Sequence, residues 1–391
     1  MKKNLWIRLL VVALVLVFAL ALASCAKEEE EAPPTQEDIN KDLEGREASK
    51  GLKFKEGKDT DGNKYYSVTG IGECTDKEVI IPDTYEGAPV TSIGSNSFAK
   101  TDIERILIPN TVTAIKHHAF TDCKNLIAIA LPDSVTEIGS AVFEGCESLE
   151  DVYFSANLEA IGKSAFAGCK SLKGIFLPES LKEIGNNAFE GCEKVPTVVI
   201  PDSVVKFGTY IFQDCKALGR VKFGANMTEI PEGMFLDCET LQAFEIPSSV
   251  TKICKYAFRG CESISKIKLD SNIVEVQYGA FMRCSALSEL YISKSVVKWG
   301  NYVTYFCKNL ATITYEGTLA EWDQIECWTT PEKGMEPIKV GPNDNLSMYL
   351  SVSAKFVNCS DGDVDIEMHR DRLGFGSSDD FVVPDEGGFE E

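Results

Sequence analysis

Cysteine recurs at positions 123, 146, 169, 192, 215, 238, 261, 284 and 307, each 23 residues after the one before. No other feature constrains the fold as tightly. A unit this short cannot bury its own apolar side, and only a stack of units makes a continuous core. Phe stands three positions before the Cys at 120, 143, 166, 189, 212, 235, 258 and 281, and Thr304 takes that slot in the last unit, with Phe306 nearby. Three positions after the Cys comes an aliphatic residue: Leu126, Leu149, Leu172, Val195, Leu218, Leu241, Ile264, Leu287 or Leu310. Ile129, Leu131, Pro132, Val135 and Ile138-Gly139 then lead to the next Phe. An earlier unit around Phe98, Ile103, Ile106, Ile108 and Val112 is one residue shorter and has no Cys, giving about ten units of 22–23 residues.

Each Leu-x-x-Ile-x-Leu segment ends in the period-two alternation of a short strand. Pro and Ser-Val turns follow, then a second extended piece from Val135 to Ile138, then a tight turn carrying Phe and Cys inward. Stacked units place neighbouring strands about 4.7–4.9 Å apart in a parallel ladder. The expected fold is an α/β-type repeat solenoid, right-handed and curved, made mostly of short strands and turns.

The unit Leu-x-x-Ile-x-Leu-Pro-x-Ser-Val-x-x-Ile-Gly-x-x-Ala-Phe-x-Gly-Cys resembles the BspA-like leucine-rich-repeat family of bacterial and protist surface proteins. Residues 79–94 resemble its opening unit. Ile313 to Thr318 with Glu321, Trp322 and Ile325 resemble its closing unit, and Val357 to Asp363 its terminal strand. The resemblance spans residues 65–366 and implies adhesion to host extracellular or surface proteins, or to other bacteria.

At the amino terminus, Lys2, Lys3 and Arg8 precede an apolar run from Leu9 to Ala23, too short for a comfortable membrane span. Leu22-Ala23-Ser24-Cys25 resembles a bacterial lipobox, which implies cleavage after residue 24 and lipidation of Cys25. Two or three acyl chains would anchor the chain stably, where one is marginal. Residues 25–50 read as a solvated acidic tether. Its Lys27 and following Glu residues resemble a surface-export signal of some Gram-negative anaerobes, and a plain acidic linker reads the same way. The expected location is the cell envelope, lipid-anchored and facing outward. Residues 51–78 read as an amino-terminal hairpin cap turning at Asp61-Gly62, 79–312 as the solenoid and 313–366 as the closing unit and cap, with Trp322, Ile325 and Trp328 covering the end. Residues 367–391 read as an acidic disordered tail.

Charge and chemistry narrow the function. With 39 Lys and Arg against 60 Asp and Glu, the formal charge is −21, which repels phosphate backbones and argues against nucleic acid. The cysteine ladder could form disulfides, since adjacent units come within bridging range. Nine members cannot all pair with neighbours, however, and the slot beside Phe suits a buried thiol. Zinc needs clustered short spacings, which are missing. A bridge between Cys327 and Cys359 stays open. Ser-x-x-Lys occurs at Ser203, Ser249 and Ser295, always in the same turn slot, so architecture rather than catalysis explains it. His117-His118 reads as a polar loop. Asp361, Asp363 and Asp365, like Asp59, Asp61 and Asn63, lack the remaining parts of a calcium loop and read as solvated turns. No catalytic residue, metal or cofactor is expected.

The remaining candidate is the concave sheet face, where residues flanking the inward Ile of each strand point outward. One lane reads Leu107, Ala130, Tyr153, Phe176, Val199, Lys222, Glu245, Lys268, Tyr291, Thr314. The other reads Arg105, Ala128, Asp151, Gly174, Thr197, Arg220, Ala243, Lys266, Glu289, Thr312. The first half is expected to expose apolar and aromatic side chains bordered by small residues, and the second half a basic cluster of Arg220, Lys222, Lys266 and Lys268. Aromatic anchors beside basic groups are typical of interface hot spots. The same rings could also simply stabilise the sheet. The leading expectation is a non-enzymatic surface binding protein with a protein partner, such as host extracellular matrix or another bacterial surface. A glycan- or solute-capturing envelope lipoprotein is the alternative.

Overall fold

Two short extended pieces per 23-residue unit generate two parallel ladders. The first passes through Glu78–Ile80, Arg105–Leu107, Ala128–Ala130, Asp151–Tyr153, Thr197–Val199, Arg220–Lys222, Lys266–Leu269, Glu289–Ile292 and Thr312–Tyr315, with single bridges at Ile175 and Ala243. The second passes from Ala88–Ile93 through Glu137–Ile138 and Ala160–Ile161 to Lys298–Gly300 and Glu326–Thr329, interrupted between Lys206–Phe207 and Glu229–Ile230. Within the repeats each pairing advances by 23 residues, as in Ala128 with Asp151 and Ala160 with Glu183. The computed structural model describes residues 35–270, 272–329, 338–340 and 356–365. The expected signal peptide, Cys25 and the 367–391 tail lie outside the described residues, as do the side chains of Cys327 and Trp328.

The molecule is a β-solenoid of about eleven turns. Its described helices are two short ones, Gln36–Asn40 before the first turn and Leu319–Trp322 in the closing turn, so the α/β label narrows to β. The reason is local. Each turn contains a left-handed residue after the second strand, such as Asn96, His118, Ala141, Ser164 or Asn187. A second falls immediately before the Cys, where Gly145, Gly168, Gly191 and Gly260 have φ of 72°, 72°, 67° and 74°. A left-handed residue ends a right-handed helix, and Gly adopts this conformation at least cost.

The core is a spine of rings. Phe98, Phe120, Phe143, Phe166, Phe189, Phe212, Phe235, Phe258 and Phe281 stack in sequence with centroids 5.1–5.7 Å apart. All are fully buried. Beside them every ladder thiol from Cys123 to Cys307 is buried and donates to the Phe carbonyl of the preceding turn at 2.9–3.4 Å.

The ends are closed by antiparallel pairs. Lys53–Lys58 pairs with Lys64–Gly70, and their turn is set by Asp59, whose Oδ1 accepts from the N–H groups of Asp61 and Asn63 at 3.0 and 2.8 Å. At the other end Phe356–Cys359 extends the first ladder beside Ile313 and Thr314, and pairs with Gly362–Asp365. Asp361 Oδ1 accepts from the Leu319 N–H at 2.8 Å, and Trp322 and Ile325 are buried.

The expected tether needs correction from residue 35 onward. Thr35 and Asp38 form a capping box for Gln36–Asn40, and Ile39 and Leu43 are only 6% and 1% exposed. Arg105 Nη2 donates to the carbonyls of Ile39 and Lys41, the latter at 2.8 Å, and the Ser49 N–H donates to the Ile80 carbonyl at 3.0 Å. Two apolar side chains in an acidic segment found an apolar seat.

Candidate interaction face

The middle residue of each first-ladder strand faces the core: Ile106, Ile129, Val152, Val198, Val221, Ile267, Leu290 and Ile313 are all buried. Alternation therefore turns the flanking residues outward. The register sets Tyr153 against Ala130, Val199 against Lys222, Thr197 against Arg220 and Lys268 against Tyr291. The bridge between Ile175 and Val198 brings Phe176 alongside Val199. These two are 39% and 42% exposed, while Leu107, Tyr153 and Tyr291 are half-buried. The Phe176 ring lies back over Gly174, where a Cβ would meet Cε2 at 2.7 Å. Gly174 is thus the bed of the ring and not an open border.

Two parts of the expected face change. Ala130, expected to border accessible rings, is 1% exposed because Gln36–Asn40 lies against Ala128–Ala130 and Asp151–Tyr153. The basic cluster also divides. Lys266 Nζ pairs with Glu289 at 2.8 Å, and Lys268 Nζ pairs with Asp270 at 2.7 Å. Both pairs are exposed and contribute little stability, but they cancel the local positive charge. Arg220 and Lys222 are exposed and make no ion pair among the described residues.

The ladder has no strand pair between Asp151–Tyr153 and Ile175 among the described residues, and further along the face it breaks again. No strand pair joins Ala243–Ile246 to Lys266–Leu269 among the described residues. Phe244 occupies the slot that Val221 and Ile267 fill elsewhere, and it is only half-buried, its ring stacked on Phe258 at 4.9 Å. A ring is larger than that slot accepts. A cleft of about 720 Å³ opens there, lined by Phe244, Ile246, Lys266, Lys268, Tyr291 and Thr314 among others. The structure thus gathers Lys266, Lys268 and Tyr291 at one cleft, and Tyr153, Phe176, Val199, Arg220 and Lys222 in a separate patch. Leu107 lies at the end nearest Gln36–Asn40. Phe244 in an Ile slot was the sequence signal for the cleft.

A second aromatic surface lies on the turns, outside both lanes. Tyr256, Tyr278, Tyr302, Tyr305 and Phe306 contact one another in series at 4.4–5.5 Å, and the Arg259 guanidinium sits 5.6 Å from the Tyr256 ring. Tyr210, Tyr256 and Tyr302 occupy the left-handed slot with φ of 55–56°. Gly233 and Gly279 alternate with them because a Cβ there would run into the rings of Tyr210 and Tyr256. Burial raises the Tyr256 phenol above its ordinary value, and Tyr210 donates to Glu232 Oε1 at 2.9 Å. The Tyr-Gly alternation at a 23-residue step was the sequence signal for this surface.

The remaining motifs are tied into the architecture, except that the buried Ser203 hydroxyl has no hydrogen-bond partner among the described residues. Ser249 and Ser295 donate to the carbonyls of Met227 and Ile273 at 2.6 and 2.8 Å, while Lys206 and Lys252 pair with Glu183 and Glu229. His117 Nδ1 accepts from the Ser140 N–H at 3.0 Å.

Residues 91–219 and 215–326 match the model of the BspA type leucine rich repeat region, in six copies and over more than half of the chain. Among solved structures, a leucine-rich repeat protein from Bacteroides ovatus is 25% identical, with a TM-score of 0.51 over 68% of this chain and 70% of that one. A T. pallidum leucine rich repeat protein is 27% identical, with a TM-score of 0.41 over 54% of this chain and 87% of its own. The pneumococcal vaccine antigen PcpA is 18% identical, with a TM-score of 0.46 over 80% and 98% of the two chains. No curated protein matches the chain.

Proposed function

Because this chain belongs to the BspA-type leucine-rich-repeat family, we propose that it is a non-catalytic, lipid-anchored surface protein that binds a protein partner on the outer face of its first ladder. The observation that carries this reading is the lane Tyr153, Phe176, Val199, Lys222, with Arg220 beside it. Two large apolar side chains stand exposed there, next to two cations that make no ion pair among the described residues, on a protein of net charge −21. Burying such side chains against a partner is favourable by about 25 cal/mol per Å², and the hydrogen-bonded ladder needs little ordering on binding. The expected partner carries acidic or mixed charge and belongs to the host extracellular matrix or to another bacterial surface. Acylation of Cys25 would hold the chain at the membrane.

The test is a binding screen of residues 26–391 against matrix proteins, glycans and bacterial surfaces. Protein binding that weakens with Phe176→Ser supports the proposal, and binding that ignores this change removes the face. A second reading, glycan capture, is favoured by the turn-face rings of Tyr256, Tyr278 and Tyr302, since planar rings suit sugar faces. Binding to glycans alone, lost with Tyr278→Ala, would put it first.

A further inference from the structure

The outer face of the first ladder already carries an occupant. Ile39, Leu43, Ile80 and Ala130 are buried, yet they stand apart from the continuous core of the solenoid. Gln36–Asn40, which carries Ile39, lies against Ala128–Ala130 on the outside of the ladder. Ile80 pairs with Leu107, whose lane continues to Ala130 and Tyr153, so the seat is the head of the lane assigned above to partner binding. The occupant is a single acidic helical turn, Gln36–Asn40, which carries Glu37, Asp38 and Ile39, followed by a bend that carries Leu43. Its carbonyls are held by Arg105, and Arg46 Nη1 pairs with Glu78 at 2.7 Å.

The seat is imperfect. Asn40 is 2% exposed, and its Oδ1 has no hydrogen-bond partner. A buried acceptor without a donor opposes burial of the segment that carries it. The segment also precedes the first strand, so its departure breaks no pair between ladder strands and costs the ladder only the Ser49 bonds to Ile80 and the contacts of Arg46 and Arg105.

We propose that residues 35–49 are a resident strap over the interaction face, and that the partner docks through a segment of the same chemistry: an acidic helical turn with one aliphatic side chain, followed by a bend that presents a second. This inference rests on the reading of that face as the binding surface. A partner must displace the strap, and the exposed patch at Phe176 and Val199 offers the first foothold beside it.

The experiment uses the full chain and a labelled peptide of residues 34–49, so no natural partner is needed. Ile39→Asp with Leu43→Asp releases the strap while leaving the Phe spine untouched. The released variant is expected to bind the peptide at least tenfold more tightly than the parent chain, and to lose that binding when Arg105→Gln is added. Equal peptide binding by parent and released variant would overturn the proposal. Hydrogen exchange on the unaltered chain is the second measurement: amides of 35–49 should exchange at least a hundredfold faster than those of the ladders, and equal protection would make the segment a permanent cap. A partner screen that finds nothing would count against the proposed function while leaving both of these results intact.

Discussion

The thiol of Cys215 donates to the carbonyl oxygen of Phe189, one turn back along the solenoid, at 3.2 Å. The same oxygen accepts the Cys192 N–H at 3.3 Å, so both of its lone pairs are used inside the core. Cys is small enough to sit beside a stacked ring and still carries a donor. Ala or Val in its place would leave the carbonyl with one partner. This answers why the recurring residue is Cys, without invoking a bridge or a metal.

Replacing Phe189 with Ala should cost about 3–5 kcal/mol, the range for removing a fully buried ring. Urea denaturation measures it. A loss under about 1 kcal/mol would mean the ring is not held in the stack.

Cys215→Ala should cost about 1–2 kcal/mol, from the lost donor and the small void it leaves. The same denaturation experiment checks it, and an unchanged midpoint would show that the thiol contributes no hydrogen bond.

The solenoid should weaken steeply in alkali. Burial raises the thiols of Cys123, Cys146, Cys169, Cys192, Cys215, Cys238, Cys261 and Cys284 above their ordinary value. Their folded pKa values exceed the unfolded ones, so the stabilisation is complete below about pH 8.5 and is lost as pH rises beyond it, by about 1.4 kcal/mol per thiol per pH unit. Unfolding followed from pH 7 to 10 tests this, and a flat profile would contradict it.

Cys359 should alkylate in the native state far faster than Cys215. It is half-exposed, with its thiol pushed up to about 11 by partial burial and by Asp361 and Asp363. Its rate should rise about tenfold per pH unit below that value, because the thiolate is the nucleophile. Peptide mapping after iodoacetamide treatment gives the order, and equal labelling of Cys215 would place the ladder thiols at the surface.

Tyr153→Ser with Phe176→Ser should weaken partner binding at least tenfold while the chain stays folded. Lys222→Glu should mainly slow association and reduce its salt dependence, as charges at an interface rim do. Surface plasmon resonance at two ionic strengths separates the two effects. A folded double variant that binds at full strength would exclude this patch.

Periodic information was legible in the sequence, and non-periodic information was not. The 23-residue spacing by itself determined the stack, the Phe and Cys slots and the two outward lanes, because every unit repeats the same local chemistry. Even the Lys266–Glu289 pair stood in one lane as neighbours. Tertiary structure alone decided three things. Arg105 captures the carbonyl of Ile39, 66 residues earlier, and so turns an apparent tether into a strap. The ladder loses its pairing beside Phe244, whose ring stacks on Phe258. The turn-face tyrosines meet only once the units are stacked. Each depends on a single contact made once along the chain, and a contact made once leaves no period to read.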